Sequence, residues 1–323
     1  MMSCLFRYYL HFFISLLSII NIPLLLEAKQ DPITLYCNEI RWDIKQALLK
    51  AFRRAQSSIY IHVYALSDPD IVKVLNQKAK EGVSIELLLD KSNKKLIISE
   101  LNPLIHLLNI AQRGLMHHKI FIIDHRWVLL GSTNLTSTSL RMHNNLLVEI
   151  DSPDFANYLH RFGREPQASF YTSSTNPPFV YWPLPNDDAL TSLLKKLSEA
   201  QKTVKIAMFT FTHPLICNTL CDLADRGVSI EVIVDSLSLK GASSCIKASL
   251  EHPNIDLRRH IGMQLMHHKY AFIDEKTLIF GSANWTRRAF SKNQDFLLIS
   301  NLEGHELNKM QRVAKYLQIE SKA

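Results

Sequence analysis

The residues with the most chemical content come in two matching sets. The first runs His117-His118-Lys119, four residues, Asp124, six residues, then Gly131-Ser132-Thr133-Asn134. The second runs His267-His268-Lys269, four residues, Asp274, six residues, then Gly281-Ser282-Ala283-Asn284. Every interval is the same in both. Side chains alternate faces along a strand, so His117 and Lys119 share one face while His118 turns away to a packing role. Ser132 and Asn134 repeat that logic on the next strand, as do Ser282 and Asn284. Imidazole, ammonium, hydroxyl and amide gathered together make a phosphate site with a nucleophile in it. The lysines supply charge, and the Ser and Asn groups hydrogen-bond to non-bridging oxygens. Asp124 and Asp274 fall on the opposite strand face and read as structural hydrogen-bond acceptors rather than reactive groups. Two simpler readings compete. A His-Lys pair on an ordinary surface strand would need the same coincidence twice. A zinc site of His117, His118, His267 and His268 is opposed by adjacent histidines facing apart and by the repulsion of two lysines.

The elements that position these residues are themselves duplicated. AQSSIYIHV at 55–63 answers AQKTVKIAM at 200–208, and GVSIELLLD at 82–90 answers GVSIEVIVD at 227–235, both offset by 145. LMHHK at 115–119 and 265–269 is offset by 150, so the second copy holds five extra residues between Asp235 and His267. Each copy predicts a helix (44–55; 189–200), a β-rich run (58–64; 203–209), a helix (70–80; 215–225) stopped by Gly82 or Gly227, and a buried strand ending at Asp90 or Asp235. A strand through 119–123 or 269–273, a turn and another strand follow. Alternating strands and helices predict an α/β fold: two similar subdomains, each a mixed sheet flanked by helices, packed about a pseudo-twofold axis. The expected boundaries are 35–168 and 188–316, with the proline-bearing stretch 169–187 as linker.

With both motif sets in view, the chain resembles the phospholipase D superfamily, whose members carry paired HxKxxxxD...GSxN motifs. The resemblance covers about residues 40 to 300. It implies one active site shared by the two subdomains, a two-step mechanism through a covalent phosphohistidine, and no metal or other cofactor. Relatives place an acidic or amide residue where Asn145 and Asp295 stand, eleven residues beyond Asn134 and Asn284, and use it to orient the histidine ring. A neutral amide beside His117 would keep that ring unprotonated for attack, and a carboxylate beside His267 would favour an imidazolium that protonates the leaving oxygen. The expectation is therefore His117 as nucleophile and His267 as general acid, then base. Glu149 is an alternative partner in the first half.

Composition bounds the rest. The 323 residues are 47% hydrophobic and 21% charged, ordinary for a globular chain without low-complexity segments. From Leu5 to Leu26 the only charged residue is Arg7, and polar sequence returns at Glu27. Residues 1–28 read as an export signal or a retained membrane anchor, placing the catalytic part outside the cytoplasm. The net charge of +7 favours anionic partners without choosing among them. The substrate expected is a phospholipid or a nucleic-acid phosphodiester, with lipid favoured by the apolar N-terminus; a non-catalytic membrane-bound binding protein is a third class. A monomer with an internal pseudo-dimer is expected. Cys37, Cys217, Cys221 and Cys245 could pair in an oxidising compartment but read better as free thiols. His62, His106, His213 and His260 read as structural. Trp285 could line the cleft or fill the core, and the aromatic cluster at 170–182 could face lipid or anchor the linker.

Overall fold

The structure, a computed structural model, describes residues 33–93, 97–109, 114–162 and 170–323. The expected signal or anchor, 1–28, lies outside these, as does Ser169. Among the described residues no helix is long and apolar enough to cross a membrane.

The first sheet has the order β1-β8-β6-β5-β2-β3-β4. Its strands are β1 (Ile33–Tyr36), β2 (Ser58–Val63), β3 (Ser84–Leu89), β4 (His106–Leu107), β5 (Lys119–Ile123), β6 (Trp127–Gly131) and β8 (Leu147–Asp151). Between β6 and β8 comes the two-residue β7 (His143–Asn144). The second sheet repeats the plan with β11 (Thr203–Met208), β12 (Ser229–Val234), β13 (Ile255–His260), β15 (Lys269–Ile273), β16 (Thr277–Gly281) and β17 (Asp295–Asn301). It is extended by β9 (Tyr171–Thr172), β10 (Phe179–Leu184) and β18 (Ser321–Lys322). In both, the motif strand runs antiparallel to the first central strand: β5 on β2 and β15 on β11. A two-stranded parallel ladder joins the halves, β14 (Leu265–Met266) on β7, with Leu265 opposite His143.

Local sequence explains the helices. Asp43 caps α1 (Ile44–Arg54) by accepting from Gln46 N, and Asp68 caps α2 (Pro69–Lys80), whose first-turn proline gives up no needed donor. Gly82 and Gly227 follow at φ 89° and 86°, a backbone that favours glycine, so the helices stop there. The apolar stripe Ile44, Leu48 and Phe52 of α1 is wholly buried against the first sheet. Each such side chain contributes about 1.5–3 kcal/mol.

Strand alternation divides the core. Phe121 and Ile123 of β5 face the helices, whereas Ile120 and Ile122 enter a second cluster with Tyr181, Phe272 and Phe296 from the other half. The two sheets thus share one apolar layer. The stretch expected as a linker is part of it: β10 pairs along β17, and Phe179 and Tyr181 are buried. Its prolines do not prevent this, because β10 lies near the sheet margin, where few backbone donors are needed. The second sheet accordingly runs past the expected limits, from β9 to β18. Phe155, Tyr158 and Tyr171 pack around Phe179 and Tyr181, so most of the aromatic cluster anchors the sheet rather than facing lipid. Trp285 is buried against Phe211 and belongs to the core. The four cysteines Cys37, Cys217, Cys221 and Cys245 are free thiols.

Candidate active site

Both motifs lie where β2 and β3, or β11 and β12, present their carboxyl ends. Asp90, just past β3, accepts Met116 N at 2.9 Å, and Asp235 accepts Met266 N at 3.2 Å, so each carboxylate anchors the approach to its His-Lys pair. Gly131 and Gly281 end the next strands against backbone: a Cβ there would come 2.1 Å from Leu146 O or Phe296 O. No other residue fits that approach.

The segments 115–117 and 293–295 run side by side across the two halves. His117 N donates to Gln294 O at 2.8 Å, and His267 N donates to Asn144 O at 2.9 Å. This exchange overturns the local pairing expected from sequence. His117 Nδ1 donates to Asp295 Oδ1 at 2.7 Å, and His267 Nδ1 donates to Asn145 Oδ1 at 2.9 Å. Each ring takes its orienting group from the other half. With the proton on Nδ1, each Nε2 keeps a free lone pair. Glu149 is not a partner; Arg54 at 2.5 Å and Tyr36 at 3.0 Å hold it elsewhere.

The serines also differ from expectation. Ser132 Oγ donates to Asn145 Oδ1 at 2.8 Å and accepts from Leu146 N at 3.1 Å. Ser282 Oγ donates to Asp295 Oδ1 at 2.7 Å and accepts from Phe296 N at 3.1 Å. Both hydroxyls are buried and engaged, so they position the orienting groups. Asn145 Nδ2 donates to Ser139 O at 2.9 Å, which keeps its oxygen toward His267. Asn284 Oδ1 accepts Thr210 N at 3.2 Å, which turns its amide nitrogen away from that loop and leaves it for a ligand oxygen.

Lys119 Nζ donates to His117 O at 2.7 Å and Lys269 Nζ to His267 O at 2.8 Å, leaving each ammonium two further donors. Burial pushes Lys119 down to about 7, only partly offset by Asp295 and Asp90. Burial and the Lys119 charge hold Lys269 well below its ordinary range. Burial and Lys119 also lower His117, against the pull of Asp295, and burial with Lys269, Lys119 and His117 lowers His267 strongly. For Asp295, burial alone would raise the carboxyl, but His117 and Lys119 together hold it below the usual carboxylate range. His117, Lys119 and Lys269 thus share the pull of one carboxylate, Asp295, while His267 faces the same positive charges without it. A bound anion would relieve the mutual repulsion of these groups.

Asp124 and Asp274 lie away from this chemistry. Asp124 accepts from the backbone N–H groups of Gln56, Ser57 and Ser58, and Asp274 from those of Gln201, Lys202 and Thr203. They pin the start of β2 and β11. His118 Nε2 bonds Asp295 O at 3.0 Å and His268 Nε2 bonds Glu39 Oε1 at 2.5 Å, so the four motif histidines do not gather around one point.

Three site residues were not singled out from sequence. Tyr64 and Phe209 lie 5.5 and 5.1 Å from the Lys119 and Lys269 ammonium groups, their rings toward His117 and His267. His143 is half-buried with its ring 5.9 Å from that of His267. The repeat contained a signal for it: the equivalent position is Asn293, whose Oδ1 accepts Leu115 N at 3.2 Å. An imidazole in place of that clamp is a departure from symmetry at the site.

The family described as cardiolipin synthase, PLD-like domain, matches residues 48–164 and 193–318. The chain belongs to the phospholipase D-like family. It is 34% identical over 120 residues to the mitochondrial cardiolipin hydrolase of Xenopus laevis, covering 37% of this chain and 57% of that one. It is 33% identical over 119 residues to a phospholipase D of Rickettsia bellii, covering 34% and 59%. The chain therefore spans less than two thirds of these relatives. Among solved structures, phosphatidylserine synthase of Haemophilus influenzae superposes with a TM-score of 0.67 at 14% identity, over 90% of this chain and 87% of that one. Polyphosphate kinase of Porphyromonas gingivalis gives 0.65 at 15%, over 90% and 48%. At such identities these two share the fold.

Proposed function

We propose that the chain is a phospholipid phosphodiesterase that works through a phosphohistidine on His117. The reading rests on the exposed apolar side chains carried by the segments that lead into both motifs, next to buried lysines and histidines. Met142, 61% exposed, precedes β7; Ile261 and fully exposed Met263 lie just before β14; Leu115 stands beside Met116 and His117. Apolar groups on the loops that feed both histidines suit a substrate with acyl chains beside its phosphate. The names of the cardiolipin hydrolase and phospholipase D relatives agree with this.

In the first step His117 Nε2 attacks phosphorus, the bond to the leaving alcohol breaks, and protonated His267 gives that oxygen its proton. In the second step His267 takes a proton from water or an alcohol, which attacks phosphorus and releases His117. Sequence order alone pairs the carboxylate with the acid, whereas the crossed hydrogen bonds put it on His117. His117 remains the nucleophile for a different reason. N-phosphorylation makes its ring cationic, and Asp295 at 2.7 Å stabilises that cation. Lys119, Lys269 and the Asn134 and Asn284 amides hold the non-bridging oxygens.

The test is turnover of phosphatidylcholine vesicles, cardiolipin vesicles and plasmid DNA by the full chain, with His117→Ala as control and Met142→Asp/Met263→Asp as the rim variant. Headgroup release lost in the control and reduced in the rim variant, with a soluble phosphodiester still cleaved, is expected. DNA nicking that depends on His117 without lipid turnover would replace the lipid reading. A trapped phosphoryl group mapping to His267 would reverse the two roles.

A further inference from the structure

Behind the second motif lies a buried cluster that the reaction does not use. Cys37 follows β1, Glu39 sits in the 3-10 turn Asn38–Ile40, and His268 stands between His267 and Lys269. Glu39 Oε2 is 2.5 Å from Cys37 Sγ, and its Oε1 is 2.5 Å from His268 Nε2. One atom from each residue lies within 4.8 Å of the other two. The Glu39 and His268 side chains are wholly removed from solvent, and Cys37 is 1% exposed.

A buried carboxylate normally takes a lysine or arginine, and among the described residues none pairs with Glu39. A thiol is only a weak donor and does not by itself draw a carboxylate close. A cation attracts thiolate, carboxylate and imidazole alike. Those three ligand types together are a zinc set, and they suit calcium or magnesium poorly. The charges also close: thiolate and carboxylate carry two negative charges, the imidazole none, and a divalent cation brings the buried sum to zero.

We propose that Cys37, Glu39 and His268 form a structural site for a zinc ion, tying the turn after β1 to the strand that carries His267 and Lys269. On binding, the Cys37 thiol loses its proton to solvent, and His268 coordinates through Nε2 with its proton on Nδ1. The thiol and the ring draw back from the carboxylate to admit the ion, and the fourth position falls to a backbone carbonyl or a water. The site is separate from the phosphate gap and takes no part in the transfer, so it does not depend on the substrate reading above.

Metal content and cobalt substitution of the full chain test this. Protein purified without chelator is expected to hold one zinc per chain after dialysis. Cobalt exchanged into it should show a thiolate-to-cobalt charge-transfer band. Cys37→Ser should abolish that band, Glu39→Gln should weaken metal retention, and Cys217→Ser should change neither. Removing the metal should lower the unfolding temperature of the wild type and leave that of Cys37→Ser unchanged. Wild-type protein that holds no zinc and develops no thiolate band on cobalt addition would overturn the proposal, as would a band that survives Cys37→Ser. Should a variant fail to fold, the zinc content and cobalt spectrum of the wild type decide the outcome.

Discussion

Asp295→Asn separates charge from geometry at the reacting histidine. The amide is nearly isosteric, and the opposite half already shows that it fits: Asn145 accepts Nδ1–H of His267 at 2.9 Å and the Ser132 hydroxyl at 2.8 Å. The variant should therefore keep the His117 ring in place and lose only the negative charge. Replacing a charge-assisted hydrogen bond by a neutral one removes about 1.5 kcal/mol. An upper bound comes from unit charges about 4 Å apart at an effective dielectric of about 20, worth about 4 kcal/mol. Formation of the covalent intermediate should slow by about tenfold to a thousandfold. Rapid-quench measurement of headgroup release reads this step directly. The pH dependence gives a second, signed readout. Burial and Lys119 already lower His117, while Asp295 opposes them. Without the carboxylate, His117 should lose its proton at still lower pH, so the acid limb of the rate profile should move down while the plateau falls. An unchanged burst rate, or an acid limb that moves up, would refute the claim that Asp295 stabilises a cationic ring.

Three further outcomes are expected. Lys119, pushed down to about 7, is charged below that pH and neutral above it, so kcat/KM should fall as pH rises through about 7. The kcat limb should lie higher, because a bound phosphate anion restores the proton; coincident limbs would count against phosphate contact. His143→Asn installs the residue found at the equivalent place in the other half, so it should fold normally yet alter the ratio of transfer to hydrolysis in water–alcohol mixtures. Asp124→Asn should destabilise the fold by about 1 kcal/mol, a figure discounted for solvent screening at this partly exposed site, without changing kcat at low temperature. Burial would raise the Asp124 carboxyl, but the backbone N–H groups of Ser58, Ser57 and Gln56 outweigh it and hold it low. Its stabilisation is thus present above the ordinary aspartate pKa of about 3.9 and lost as pH falls through the folded value. Denaturant titrations should show the gap between variant and wild type closing on acidification.

Sequence periodicity carried much of this architecture. The 145-residue offset announced two similar halves, and the strand alternation placed His117 with Lys119 and His267 with Lys269. The helices over 44–54 and 69–80 lie within one or two residues of expectation because Asp43, Asp68, Pro69 and Gly82 punctuate them. Periodicity tells which face a side chain takes, however, and not which element will oppose it. For that reason the sequence marks Asn145 and Asp295 as orienting groups without revealing that each serves the ring of the other half. The serines were legible as polar and inward-facing, yet their commitment to those same groups depends on how β6 meets the backbone before β8. The prolines of 177–185 suggested a linker; the buried aromatics between them, Phe179 and Tyr181, are what make it a strand.

The crossed hydrogen bonds bind the two similar halves into one site. Each motif histidine takes its orienting group from the other half, so on the proposed mechanism an isolated half would lack that group. Two inactive full-length chains, one damaged at His117 and the other at His267, should remain inactive when mixed. Fragments severed between the copies should regain turnover only on reassembly. With the orienting groups exchanged in this way, neither half is a spare for the other.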